Sequence, residues 1–87
     1  MKMVEQMSDV DVVINGLIEI QADVTVPRNI RTKIESIIST LKGGTEMSIK
    51  VNKALNEFEE IASDANMHAY TRTQLWNIIS MLEKLLI

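Results

Sequence analysis

The sequence predicts an all-α protein, a four-helix up-and-down bundle made of two similar helical hairpins. Three observations carry that expectation. Apolar residues recur at helical three- and four-residue spacing in four segments, and no stretch alternates with the period of a strand. Turn-forming residues separate the segments, at Asp23 to Pro27, at Gly43-Gly44 and at Asp64-Ala65-Asn66. Residues 10–42 laid on residues 51–83 give eleven identities in 33 pairs, a self-similarity near the period of stacked two-helix units.

The first helix is expected from about Ser8 to Ala22. Ser8 suits its cap, and Asp9 and Asp11 suit its first turn, where the helix dipole favours negative charge. Its apolar stripe is Val10, Val13, Ile14, Leu17 and Ile20. Met3 and Met7 continue the stripe backward, so the pattern does not fix where the helix begins. Pro27 fits a first helical turn, where its missing N–H is not needed. That places the second helix's cap at Thr25 or Val26 and its end near Lys42, with Ile30, Ile34, Ile37, Ile38 and Leu41 on one face. Gly43-Gly44 is expected to stop it in a left-handed cap. Thr45 is the expected cap of a third helix running to about Ser63, with Met47, Val51, Ala54, Leu55, Phe58, Ile61 and Ala62 as its stripe. Asn66 is the expected cap of the fourth, from about Met67 to Leu86, with Leu75, Ile78, Ile79, Leu82 and Leu86 inward.

Short connections make neighbouring helices antiparallel. A lone hairpin leaves its apolar face in water, so the two hairpins, about 8–42 and 45–86, are expected to form one domain over 1–87. The offset comparison pairs Asp23 with Asp64 and Arg31 with Arg72. Each aspartate ends the first helix of a hairpin, where it can accept from the unpaired N–H groups of the next. Each arginine lies about a turn further on and can reach back. The four are therefore read as turn-locking ion pairs.

Composition narrows the function. The 87 residues include no cysteine and carry a formal charge of −3. There is thus no disulfide and no thiolate for zinc. An acidic balance disfavours nucleic acid and anionic lipid as general partners. No apolar run approaches the roughly 20 residues of a membrane span, and Met1 to Glu5 does not resemble a secretion signal. A soluble cytoplasmic protein is the expectation.

Candidate chemistry is sparse. Glu57, Glu60, Asp64 and His68 gather near one helix end and could in principle hold a divalent cation. The plainer reading is a solvated acidic helix end, and neither a metal nor a cofactor is expected. Ser39 and Ser80 sit inside helices, where bonding a carbonyl one turn back or close packing outweighs a nucleophilic role. Gly43-Gly44 lacks a phosphate-loop pattern and follows no strand. No catalytic residue is assigned, and no enzyme is expected. Arg28, Arg31 and Lys33 form a small basic group, diluted by Glu35, Asp23 and Asp64. The larger excess is apolar: Trp76, Met81, Leu85 and Ile87 lie beyond the fourth helix's stripe, and Met3, Val4 and Met7 add to it. Exposed Trp and Met suit a partner surface, so Trp76, Met81 and Leu85 are the candidate contact.

The segments Asp23-Val24-Thr25-Val26-Pro27-Arg28-Asn29-Ile30-Arg31 and Thr71-Arg72-Thr73-Gln74-Leu75-Trp76-Asn77-Ile78-Ile79-Ser80-Met81-Leu82-Glu83 resemble the archaeal uncharacterised protein family UPF0147. The resemblance runs from about Asp9 to Leu85. It implies a four-helix bundle and no known activity. The family carries prolines around the second turn, where this chain has Ala65 and His68. The turns are also loosely similar to HEAT repeats, with a longer Asp-to-Arg spacing.

The expected function is a protein–protein interaction or scaffold module without catalysis. Its partner would be another protein or a second copy, a homodimer included. The alternative is an accessory factor for nucleic acid or ribonucleoprotein, using Arg28, Arg31 and Lys33.

Overall fold

The four apolar stripes become four helices. A computed structural model describes residues 9–86. It places α1 at Asp9–Gln21, α2 at Arg28–Lys42, α3 at Met47–Ala62 and α4 at Ala69–Lys84. Each helix packs on its neighbours in the ring α1–α2–α3–α4, with α4 closing onto α1 and no diagonal contact. This is the up-and-down bundle that the short connections require.

The stripes of α1 and α2 are buried to the last residue: Val10, Val13, Ile14, Leu17 and Ile20 face Ile30, Ile34, Ile37, Ile38 and Leu41. Val51, Ala54, Phe58 and Ile61 of α3 and Leu75, Ile78, Ile79 and Leu82 of α4 complete the core. Burying a large aliphatic side chain is worth about 1.5–3 kcal/mol, so these positions dominate what holds the helices together. Phe58 is the buried aromatic, whereas Tyr70 and Trp76 are exposed.

Both stripe edges need correction. Met47 and Leu86 lie at helix ends and are exposed, while Leu55 and Ala62 are half-buried. Val26 and Met67, just ahead of α2 and α4, are buried in their place. Thr71 is a buried polar side chain of α4, at the place where the offset comparison has Ile30.

The caps also differ from expectation. Pro27, Glu46 and His68 are the N-cap residues of α2, α3 and α4, and none caps with its side chain. Thr25 fails to cap α2 because its hydroxyl is taken by Asp23. Asn66 is likewise held in the turn, its N–H donating to Asp64 Oδ1 at 2.8 Å. The helices instead start on backbone carbonyls. Pro27 O accepts from Ile30 and Arg31, Glu46 O from Lys50, and His68 O from Arg72. A side-chain cap is typically worth ~1 kcal/mol, somewhat less than the burial of one large core residue.

Gly43 does not adopt the left-handed conformation; its φ of −66° and ψ of 167° are extended. A Cβ there would stand 3.2 Å from the Thr40 carbonyl oxygen, a tight contact that glycine avoids. Ser8, Met3, Val4, Met7 and Ile87 lie outside the described residues. No helix among the described residues is long and apolar enough to cross a membrane.

Candidate functional site: the α3–α4 groove

The two aspartate turns meet at one end of the bundle. Asp23 Oδ1 accepts from the Thr25 N–H at 2.9 Å and from its hydroxyl at 2.7 Å. These two bonds, the hydroxyl's first, hold the Asp23 carboxyl below its ordinary value near 3.8, and the charges of His68 and Arg31 add to the effect. Asp64 makes the same turn with the Asn66 N–H and also accepts from Asn29 Nδ2 at 3.2 Å.

The arginines bond to backbone rather than to carboxylates. Arg31 Nε donates to the Val26 carbonyl at 3.1 Å, and Arg72 Nη2 to the Asp64 carbonyl at 2.8 Å. Arg72 Nε is buried with no hydrogen-bond partner. The expected pairing of Asp23 with Arg31 and of Asp64 with Arg72 is thus replaced by two separate devices at each turn. The aspartate closes the turn, and the arginine clamps its carbonyls.

Lys33 and Glu60 form an ion pair at 2.6 Å. Glu60 raises the Lys33 ammonium above its ordinary value, partial burial opposes this, and Glu57 contributes its charge. Thr40 Oγ1 donates weakly to Glu57 Oε2 at 3.4 Å, and Glu57 Oε1 is buried without a partner. Glu57, Glu60, Asp64 and His68 are therefore spread over separate contacts. Among the described residues no three His, Asp or Glu side chains converge as a ligand set. The basic group is split as well. Arg28 and Arg31 border a shallow depression with Glu35, while Lys33 is engaged by Glu60. Ser39 and Ser80 are both exposed.

Helix geometry also divides the candidate partner surface. Met81 lies five residues beyond Trp76, about 140° around the helix at 3.6 residues per turn, and Leu85 about 180° away. Met81 accordingly borders a depression with Asp9 and Lys84 on the α1 side, and both Met81 and Leu85 pack against the core. Trp76 stands on the α3 side and keeps 52% of its surface exposed.

There it walls a groove of about 160 Å³ lined by Leu55, Glu59 and Ala62 of α3 and by Trp76, Ile79 and Glu83 of α4. Leu55, Ala62 and Ile79 are half-buried or buried and make an apolar floor; Glu59 and Glu83 are exposed, one from each helix. A larger, more open depression of about 570 Å³ involves Ile14, Ile18, Leu41 and Met47, with Lys42 and Lys50 among its lining. Val10 and Asp11 also line it. The sequence offered no signal for either depression beyond the surplus of apolar residues.

Laid on the first hairpin, the groove is not repeated. Ile79 matches Ile38 in the offset comparison, but Trp76 matches Glu35, Glu59 matches Ile18 and Glu83 matches Lys42. Leu55 likewise matches Ile14, but Ala62 matches Gln21, so the floor is only partly shared, and the tryptophan and the two carboxylates belong to the second hairpin alone.

These features define a small all-α protein, an up-and-down four-helix bundle bearing one apolar groove with acidic flanks between its last two helices. The chain belongs to the uncharacterised protein family UPF0147, whose model matches residues 1–85. The UPF0147 protein MJ1419 of Methanocaldococcus jannaschii is 45% identical over 67 residues, covering 76% of this chain and 72% of the relative. A UPF0147 protein of Pyrococcus abyssi is 36% identical, covering 91% and 99%. The crystal structure of the unknown-function protein MMP1188 has the same fold, with a TM-score of 0.83 at 33% identity over 95% of this chain and 96% of that one.

Proposed function

We propose that this protein is a non-catalytic interaction module that docks a protein partner through the α3–α4 groove at Trp76. The observation that carries the reading is the half-exposed Trp76 on the groove wall. The first hairpin builds the matching helix with an exposed Glu35 in that place, so neither the helix nor the core calls for a tryptophan there. A large aromatic kept partly in water over an apolar floor is the kind of anchor that dominates protein interfaces. The titratable groups support the non-catalytic part of the reading by being engaged locally, Lys33 with Glu60, Asp23 with Thr25 and Asp64 with Asn29 and Asn66. The reading includes a cytoplasmic location; with no cysteine the chain makes no demand on the redox state of its compartment.

The test is capture from native cell extract with the tagged full chain, with and without nuclease. A stoichiometric protein partner is expected, resistant to nuclease and lost on Trp76→Ser while the circular dichroism of the helices is unchanged. A partner that persists on Trp76→Ser refutes the groove as the contact. Capture abolished by nuclease refutes the protein-partner reading in favour of nucleic acid at Arg28 and Arg31.

A further inference from the structure

We propose that the occupant of this groove is a basic amphipathic helix of another protein, which inserts one large apolar side chain beside Trp76 and sets Lys or Arg against Glu59 and Glu83. The inference rests on the docking reading above and adds the chemistry of the partner.

The floor and the flanks make different demands. Leu55, Ala62 and Ile79 offer apolar contact in a space of about 160 Å³, which suits a single Leu, Ile, Met or Phe side chain rather than a flat apolar sheet. A groove between two helices is a common seat for a third, read by anchors on one helical face. The flanks are both anionic, with one carboxylate from each wall. Among the described residues no ion pair within 4.0 Å involves Glu59 or Glu83. Carboxylates on opposite sides of an apolar slot repel phosphate and acidic segments and favour cations placed on either side of an apolar anchor. The formal charge of −3 on the whole chain steers the same class of partner toward it.

A second copy fits less well. A two-fold interface uses the same patch on both chains. Pairing this groove with itself brings two copies of Glu59 and two of Glu83 into one contact, with no basic residue among the groove's lining to offset them.

The experiment selects from a displayed library of helix-forming peptides, randomised on one face, against the folded full chain. Enriched peptides are expected to carry one large apolar residue flanked by Lys or Arg. Trp76 is the chain's sole tryptophan, so a synthesised winner should shift its emission to the blue as the indole loses water. The double variant E59K/E83K should weaken that peptide by about tenfold or more, roughly the 1.4 kcal/mol that a tenfold change represents. Selection against E59K/E83K should enrich acidic peptides instead. No enrichment, enrichment without basic bias, or binding that leaves Trp76 emission unmoved overturns the proposal. So does a homodimer in sedimentation equilibrium that dissociates on Trp76→Ser, which puts a second copy in the groove. If the library result is negative while capture from extract still depends on Trp76, the partner chemistry falls and the docking module stands. Loss of both removes both readings.

Discussion

Asp23 and Asp64 close their turns in the same way, each accepting from the N–H two residues on, yet only Asp23 also takes a hydroxyl, from Thr25. The sequence marked both aspartates and both arginines, because a carboxylate after a helix followed by a guanidinium a turn later is a legible pattern. Their real partners were not legible. Arg31 and Arg72 reach backbone carbonyls, which every residue carries and no sequence pattern marks. The Thr25 bonds have a pH consequence. They hold the folded-state Asp23 carboxyl below its ordinary 3.8, so its stabilisation is fully present above that value and is lost as pH falls through the lower, folded-state value. Asp23→Ala should therefore unfold at lower urea than the parent chain at neutral pH. The gap between the two should narrow as the pH drops below about 4, the ordinary carboxylate range. A gap that stays constant into strong acid means that the turn is held by something other than the ionised carboxylate.

Among the elements, α1 and α2 were legible in full as stripes, since helical periodicity is set by burial and burial decided which residues face in. The starts of α2 and α4 were not, because the aspartate turns hold Thr25 and Asn66 two residues ahead of the N-caps Pro27 and His68, and α3 starts from Glu46 rather than Thr45. The stripe also passes over Gly16, which is half-buried in the middle of α1 against α4. A Cβ there would stand 3.3 Å from Ile78 Cδ1 and 3.7 Å from its Cγ1. The offset comparison matches Gly16 with Glu57, so one interhelical contact is made close by a missing side chain where the other holds a carboxylate near Thr40. Glycine inside a helix costs about 1 kcal/mol relative to alanine, and the obstructing atom is the free end of a side chain that can yield by a few tenths of an ångström. Gly16→Ala should therefore stabilise the bundle by about 0.5 kcal/mol, the propensity gain less a small repacking cost. Gly16→Leu should destabilise it by about 1–3 kcal/mol through overpacking. Urea unfolding of the two variants checks the pair, and a destabilising alanine would show that Ile78 cannot move.

At the scale of the whole molecule, the groove was half legible. Trp76 stood out as apolar surplus on a helix already supplied with a stripe, but Met81 and Leu85 were grouped with it, although a count of 100° per residue separates them. The groove itself depends on how α3 and α4 lie together, which no single-helix pattern contains. The same dependence governs stability. Each hairpin's stripe is covered by the other hairpin, through α1 on α4 and α2 on α3, and the link between hairpins is slight. Residues 42–49 are exposed, a Cβ on Gly44 would meet nothing within 4 Å, and Lys50 Nζ donates to the Gly43 carbonyl at 3.1 Å. Helices of this length are marginal in water without tertiary contact. Cutting the chain between Gly43 and Gly44 should therefore leave two peptides that are each weakly helical alone. Mixed in equal amounts they should recover most of the helical circular dichroism, with a midpoint that depends on concentration, because docking has become bimolecular. If the second peptide alone keeps the helicity and amide protection of the intact chain, the α3–α4 hairpin is autonomous. Its groove would then rest on contacts within one hairpin rather than on the core shared by both.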